Sequence, residues 1–224
     1  MTTYAVSPDG ILEIAEHEGI VIGPYLDSKD VWTYGVGHTA AAGGLVPAKM
    51  DRVDTRGWSD KIVMQVMVDA LKVFDDDLDS YESRVNSAVK VPLKQHQFDA
   101  LVSFDFNTGG IYEAKLTEFL NAGDYDEAAA RFMGWTKPKE IKDRREDEMM
   151  LFRTGSYAAN GSSIAVYDAL PDGSIRWRAR IDSQELAAIM GMAGTKRRTR
   201  VKKLSRLWDF LRGLFPAHKR GTMS

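Results

Sequence analysis

Two carboxylates and a hydroxyl carry the strongest chemical signal in this chain. Glu18 is followed nine residues later by Asp27, and six residues further on by Thr33. Cleavage of a glycosidic bond needs one acid that keeps a proton for the leaving oxygen. It also needs a second group that handles water or a cation-like sugar. In an inverting reaction the two carboxyls stand roughly 6.5–9.5 Å apart, which leaves room for a water. By spacing alone, two acids nine residues apart are ordinary surface residues. Their context, EHEGIVIGPYLDSKDVWTYGVGHT over residues 16–39, is more telling.

The elements that must position these residues can be read around them. Ser7-Pro8 starts a helix as cap and first-turn residue, and Ile11, Leu12, Ile14 and Ala15 give it an apolar stripe that ends near Gly19. Glu18 therefore closes that helix. Two β-prone runs flank Asp-Ser-Lys-Asp (27–30) and predict a hairpin, with Asp27 at its turn and Thr33 on its return strand. Residues 40–57 read as loop or a third short strand. Residues 60–88 keep a helical period, as one helix or two joined. Within them Asp75-Asp76-Asp77 reads as a solvated face. Further helices are expected over about 94–106, 113–121, 124–134 and 138–152. Asn107, where the 94–106 helix ends, is a candidate substrate contact or a cap. Residues 157–195 read as an accessory β-hairpin plus short helix. There Ile175, Trp177, Ala179 and Ile181 alternate with Arg176, Arg178 and Arg180, the pattern of a half-buried strand with a cationic face.

The spacing of Glu18, Asp27 and Thr33, followed by Gly-x-Gly-His (35–38), resembles the phage-type lysozymes, the endolysin muramidases of glycoside hydrolase family 24. QHQFDALVSFDFNTGG (95–110) is similar to that family's central buried helix. Trp135 and the ending Arg144-Arg145, Glu148, Phe152-Arg153-Thr154-Gly155 are similar to its C-terminal helices. The resemblance covers about residues 7–156. It implies an α+β, lysozyme-like fold with a small N-terminal β-hairpin lobe, a mainly helical second lobe and a C-terminal extension. With the alternating and cationic segments beyond it, units at 1–156, 157–195 and 196–224 are expected. The resemblance further implies hydrolysis of the β-1,4 bond between N-acetylmuramic acid and N-acetylglucosamine, with inversion and without a cofactor. Glu18 matches the family's proton donor, Asp27 the carboxylate that serves the water or the sugar cation, and Thr33 the hydroxyl that holds the water. Arg144 matches an arginine that pairs with the catalytic Glu. Such a contact must loosen for Glu18 to keep its proton. The approach Lys137-Pro138-Lys139-Glu140-Ile141-Lys142 departs from the glycine-rich run common in the family.

Composition narrows the alternatives. Cysteine is absent from the 224 residues, which excludes disulfides, thiolate–zinc sites and a cysteine nucleophile. The four histidines lack zincin spacing, and His38 reads as a hydrogen-bonded scaffold residue. No signal peptide or spanning helix is expected, so synthesis in the host cytoplasm and holin-dependent release to the periplasm or wall follow from the resemblance. Charge is uneven: residues 196–224 carry +9 and residues 1–195 carry −11. The segment KRRTRVKKLSRLWDFLRGLF (196–215) reads as a basic amphipathic helix. Arg200, Lys203, Trp208 and Phe215 are its candidate contacts to an anionic membrane or lipopolysaccharide. Docking of this helix on the acidic body and nonspecific nucleic-acid binding are the competing readings, and no specific nucleic-acid partner is expected. A monomer acting on bacterial peptidoglycan is the expectation. A lytic transglycosylase, or a muramidase-like wall-binding scaffold without activity, are the alternatives.

Overall fold

In the computed structural model, which describes residues 3–158 and 163–193, the chain opens with α1 (Pro8–Glu18). The Ser7 hydroxyl accepts from the Gly10 amide, and Pro8 occupies a first-turn position that needs no donor. Ile11, Leu12, Ile14 and Ala15 are buried, and the helix stops at Gly19, whose φ is 70°. That stop leaves Glu18 as the last helical residue, at the rim of the core.

Strands β1 (Ile20–Leu26) and β2 (Trp32–Gly35) form the antiparallel hairpin, and β3 (His38–Thr39) adds a short third strand. Residues 40–57 are loop with three short 3-10 turns. Helix α2 (Asp60–Ala88) is continuous over 29 residues. Its Val63, Met67, Leu71, Phe74, Leu78 and Val85 are buried. The aspartate run within it departs from expectation: Asp75 and Asp77 are buried. Asp77 faces inward because it holds the His38 ring, with Nδ1 2.8 Å from Oδ2.

Helix α3 (Gln95–Thr108) crosses the middle of the molecule. Phe98, Ala100, Leu101, Val102 and Phe104 are all fully buried, so it is enclosed on every side. Helices α4 (Lys115–Asn121), α5 (Tyr125–Ala130) and α6 (Lys142–Thr154) complete the helical lobe, with 3-10 turns before and after Trp135. The architecture is α+β, a small sheet beside a mainly helical lobe. No helix among the described residues is long and apolar enough to cross a membrane.

The described residues 163–193 share the sheet and the core of the preceding chain. Strands β4 (Ser163–Ala169) and β5 (Ile175–Asp182) form the expected hairpin, and β4 pairs in parallel with β1, Ile20 beside Val166 and Val21 beside Tyr167. The result is one five-stranded sheet in the order β3-β2-β1-β4-β5. Helix α7 (Ser183–Ala193) packs on α2 and α1 and buries Leu186 and Ile189 in the same core. A lone two-stranded hairpin is marginal in water, and this one gains its stability by joining the sheet.

Strand β5 corrects a second expectation. Strict alternation places Ile175 and Trp177 on the buried face with Ile181. Ile181 is buried, but Trp177 is 66% exposed and Ile175 39%. The cause is a bulge: Val166 faces Ala179 while Tyr167 faces Trp177, which makes Arg178 an extra residue and flips the parity beyond it. Arg178 reaches the buried carboxylate of Asp168 at 2.6 Å, and Asp168 also accepts from the Thr55 hydroxyl at 2.8 Å. Arg200, Lys203, Trp208 and Phe215 lie outside the described residues.

Candidate active site

The end of α1 and the β1–β2 hairpin open onto one cleft of about 460 Å³. Glu18, Asp27 and Thr33 line it together, with Tyr25, Asn107 and Trp135. All three candidates for chemistry are thus brought to a common crevice, and Asn107 joins them from the end of α3. A second cavity, under Tyr4 and Leu93, is lined by no carboxylate.

Local sequence sets each position. Asp27 starts the hairpin turn, and its Oδ1 accepts from the amides of Lys29 and Val31, both at 2.8 Å. Among the described residues Oδ2 has no such partner. The turn therefore fixes one oxygen and leaves the other for the cleft. Thr33, facing Tyr25 across the hairpin, is buried and donates to the Val31 carbonyl at 3.0 Å. Its oxygen keeps lone pairs for a water. Gly37 has a φ of 71°, and a side chain there would start 3.5 Å from Glu18 Oε2 and 3.4 Å from the Phe106 ring. Those are ordinary contact distances, so it is the left-handed backbone that calls for glycine here.

Behind Glu18 lies a buried ionic cluster. Arg144 Nη1 donates to Glu18 Oε1. Arg144 Nε and Arg145 Nη2 each donate to Glu148 Oε1 at 3.0 Å, and the Ser103 hydroxyl donates to the same oxygen at 2.8 Å. Arg145 and Glu148 are fully buried, and Arg145 lies over the Phe104 ring. Burial pushes the Glu148 carboxyl up, while the two guanidiniums pull it down. Arg145 Nη2 also donates to Asn107 Oδ1 at 3.0 Å, so the same arginine orients Asn107. Arg144 is therefore a structural member of this cluster as well as the partner of Glu18.

Several participants were not singled out by the sequence. Tyr25 sits two residues before Asp27 on one strand, and that period of two was the available signal. Burial raises its hydroxyl pKa first, and the charges of Glu18 and Asp27 add to this. Next to Glu18, the His17 ring is pushed down to about 3 by burial and by Arg144 and Arg145, although Glu13 and Glu16 lie 3.8 and 3.6 Å away. The ring is buried, so its desolvation outweighs two neighbouring carboxylates. Trp135 packs edge-on to Phe104 and also lines the cleft. Among the described residues no group of three or more His, Cys, Asp or Glu is arranged to hold a metal ion.

The phage lysozyme family model matches residues 15–148. The endolysin of Salmonella phage P22 is 33% identical over 153 residues, covering 66% of this chain and 97% of that relative. The crystal structure of a P22 lysozyme variant superposes with a TM-score of 0.51 at 28% identity, over 66% of this chain and 98% of that one. The muramidase domain of SpmX from Asticaccaulis excentricus gives 0.52 at 28%, over 67% and 99%.

Proposed function

The chain belongs to the phage lysozyme family, a group of peptidoglycan-directed glycoside hydrolases, and from that premise we propose the bond it cuts and the residues that cut it. The bond is the β-1,4 linkage between N-acetylmuramic acid and N-acetylglucosamine. Glu18 gives its proton to the bridging oxygen as the C1–O bond breaks. A water held by Asp27 and Thr33 attacks C1 from the opposite face and passes its proton to Asp27. The products are a reducing muramic acid end with inverted configuration and a free 4-hydroxyl. The observation that carries this reading is that Glu18, Asp27 and Thr33 line one cleft.

The Arg144 contact has a role in this scheme. Arg144 donates to Glu18 Oε1 and to Glu148 Oε1, so it ties the proposed proton donor to the buried cluster and orients its carboxyl. A lytic transglycosylase needs no water-holding pair, so Asp27 and Thr33 in the cleft favour hydrolysis. A wall-binding scaffold does not need them either.

The biological reading is lysis of the host wall after holin-dependent release. The segment 196–215 would then bring the enzyme to an anionic membrane or lipopolysaccharide through Arg200, Lys203, Trp208 and Phe215. That part rests on residues outside the described structure.

The experiment is loss of turbidity of purified sacculi by the parent, Glu18→Gln and Asp27→Asn, with product analysis. Glu18→Gln keeps the shape but removes the proton, and should lower the rate by about 10²–10⁴. Reducing muramic acid ends are expected. A fully active Glu18→Gln variant, or 1,6-anhydro ends, would overturn the assignment.

A further inference from the structure

The bulge in β5 sorts side chains in a way that the cleft does not use. Ala165 faces Arg180 across the strands, and Tyr167 faces Trp177. Ala165 and Tyr167 are two apart on β4 and share a face, so Arg180 and Trp177 share it as well. On a regular strand two residues three apart point to opposite faces. The extra residue, Arg178, puts an indole and a guanidinium on one face.

This face is accessible and continuous with the catalytic lobe. Trp177 and Arg180 are exposed on the outermost strand of the sheet. Arg180 commits Nη1 to the carbonyl and hydroxyl of Ser163, at 2.9 and 3.0 Å. Inward from Trp177, the Tyr167 ring lies 3.1 Å from where a side chain on Gly19 would begin, and Gly19 directly follows Glu18. At its turn, the same hairpin holds the catalytic one: Gly173 accepts from the Leu26 amide at 2.8 Å, one residue before Asp27. The hairpin lies beyond residue 148, where the family match ends.

Its chemistry suits one kind of ligand. An indole face takes the C–H face of a pyranose, and a guanidinium takes a carboxylate. Peptidoglycan offers both, sugar rings and the carboxylates of its stem peptides. Residues 1–195 carry a net −11, so a cationic point on this body is where an anionic polymer would be held.

We propose that Trp177 and Arg180 form a second peptidoglycan-binding site, which holds the wall polymer beside the cleft. The proposal rests on the muramidase reading above. It is tested in the Glu18→Gln chain, so that binding is read without digestion, by co-sedimentation with purified sacculi. Trp177→Ala should weaken binding about fivefold to tenfold, Trp177→Phe should restore part of it, and Arg180→Gln should remove part of its salt dependence. Thermal melts check the fold, and should Trp177→Ala not fold, Trp177→Phe and Arg180→Gln still decide. Trp177→Ala binding sacculi within twofold of its parent, or Arg180→Gln with an unchanged salt dependence, overturns the proposal. So does a defect seen on anionic phospholipid vesicles and not on sacculi. Failure of the muramidase reading would appear separately, as intact sacculi after treatment with the Glu18 enzyme.

Discussion

Glu148 is one carboxylate serving two buried cations, and replacing it by Gln tests how the site is held. Its Oε1 receives Arg144, Arg145 and Ser103 within 3.0 Å, in a region where Arg145 and Glu148 have no exposure and Arg144 has 8%. The amide keeps the shape and one acceptor oxygen but removes the charge. Arg145 is then a buried cation without a counter-ion, and Arg144 keeps only Glu18. Breaking a buried pair by removing one partner costs about 3–5 kcal/mol. For a chain of this size, 1 kcal/mol moves the melting temperature by roughly 2–4 °C, so a fall of about 6–20 °C is expected. Activity measured below the melt should also drop, because Arg144 turns its full charge on Glu18 and Arg145 loosens Asn107. Calorimetry gives the first number and sacculus turbidity the second. A double variant, Glu148→Met with Arg145→Met, should recover part of the lost stability, since an apolar pair can replace a buried ionic one. A melting temperature within about 2 °C of the parent for Glu148→Gln would refute the reasoning.

Two further predictions concern stability. The His17 ring has a folded pKa near 3 against an ordinary value of 6.5. Below pH 6.5 the unfolded chain binds a proton that the folded chain refuses, so stability falls as pH drops from 6.5 toward 3. His17→Gln should flatten that slope by about 2 kcal/mol between pH 6.5 and 4.5, read from urea midpoints; equal slopes in both proteins would count against it. At Gly35, φ is 62° and a side chain would begin 2.9 Å from the Ala70 Cβ on α2. Gly35→Ala should destabilise by about 2–4 kcal/mol, the sum of left-handed strain and overpacking, and a loss under 0.5 kcal/mol would show that the sheet and α2 adjust freely.

The parts of the fold legible in the sequence are those fixed by neighbours along the chain. The Ser7-Pro8 start, the Gly19 stop and the Asp27 turn are local chemistry, and they place Glu18 and Asp27 at the ends of their elements. The helical character of 60–88 follows from its period, while its continuity as one helix does not. What remained hidden depends on distant contacts. Nothing near Ile20 announces that Val166 will pair beside it, so the second hairpin looked separate. The bulge at Arg178 is set by the needs of Asp168 and Thr55, not by the alternation of β5 itself. Asp75 and Asp77 read as solvated because the partner of Asp77, His38, lies on another element. The Glu148 cluster spans only five positions of α6, Arg144 to Glu148, but its meaning comes from Ser103 and Glu18, far away in the chain.

The parallel seam between β1 and β4 also bears on synthesis. The strand carrying the approach to Asp27 leaves the ribosome well before its outer neighbour β4, which lies far along the chain from it. Until residues 163–193 emerge, β1 has a bare edge, and the apolar surface that α7 covers stays open to water. The lobe that carries the cleft is therefore incomplete until that segment is made, and a chain ended before it holds Glu18 and Asp27 beside a sheet that lacks its two outer strands.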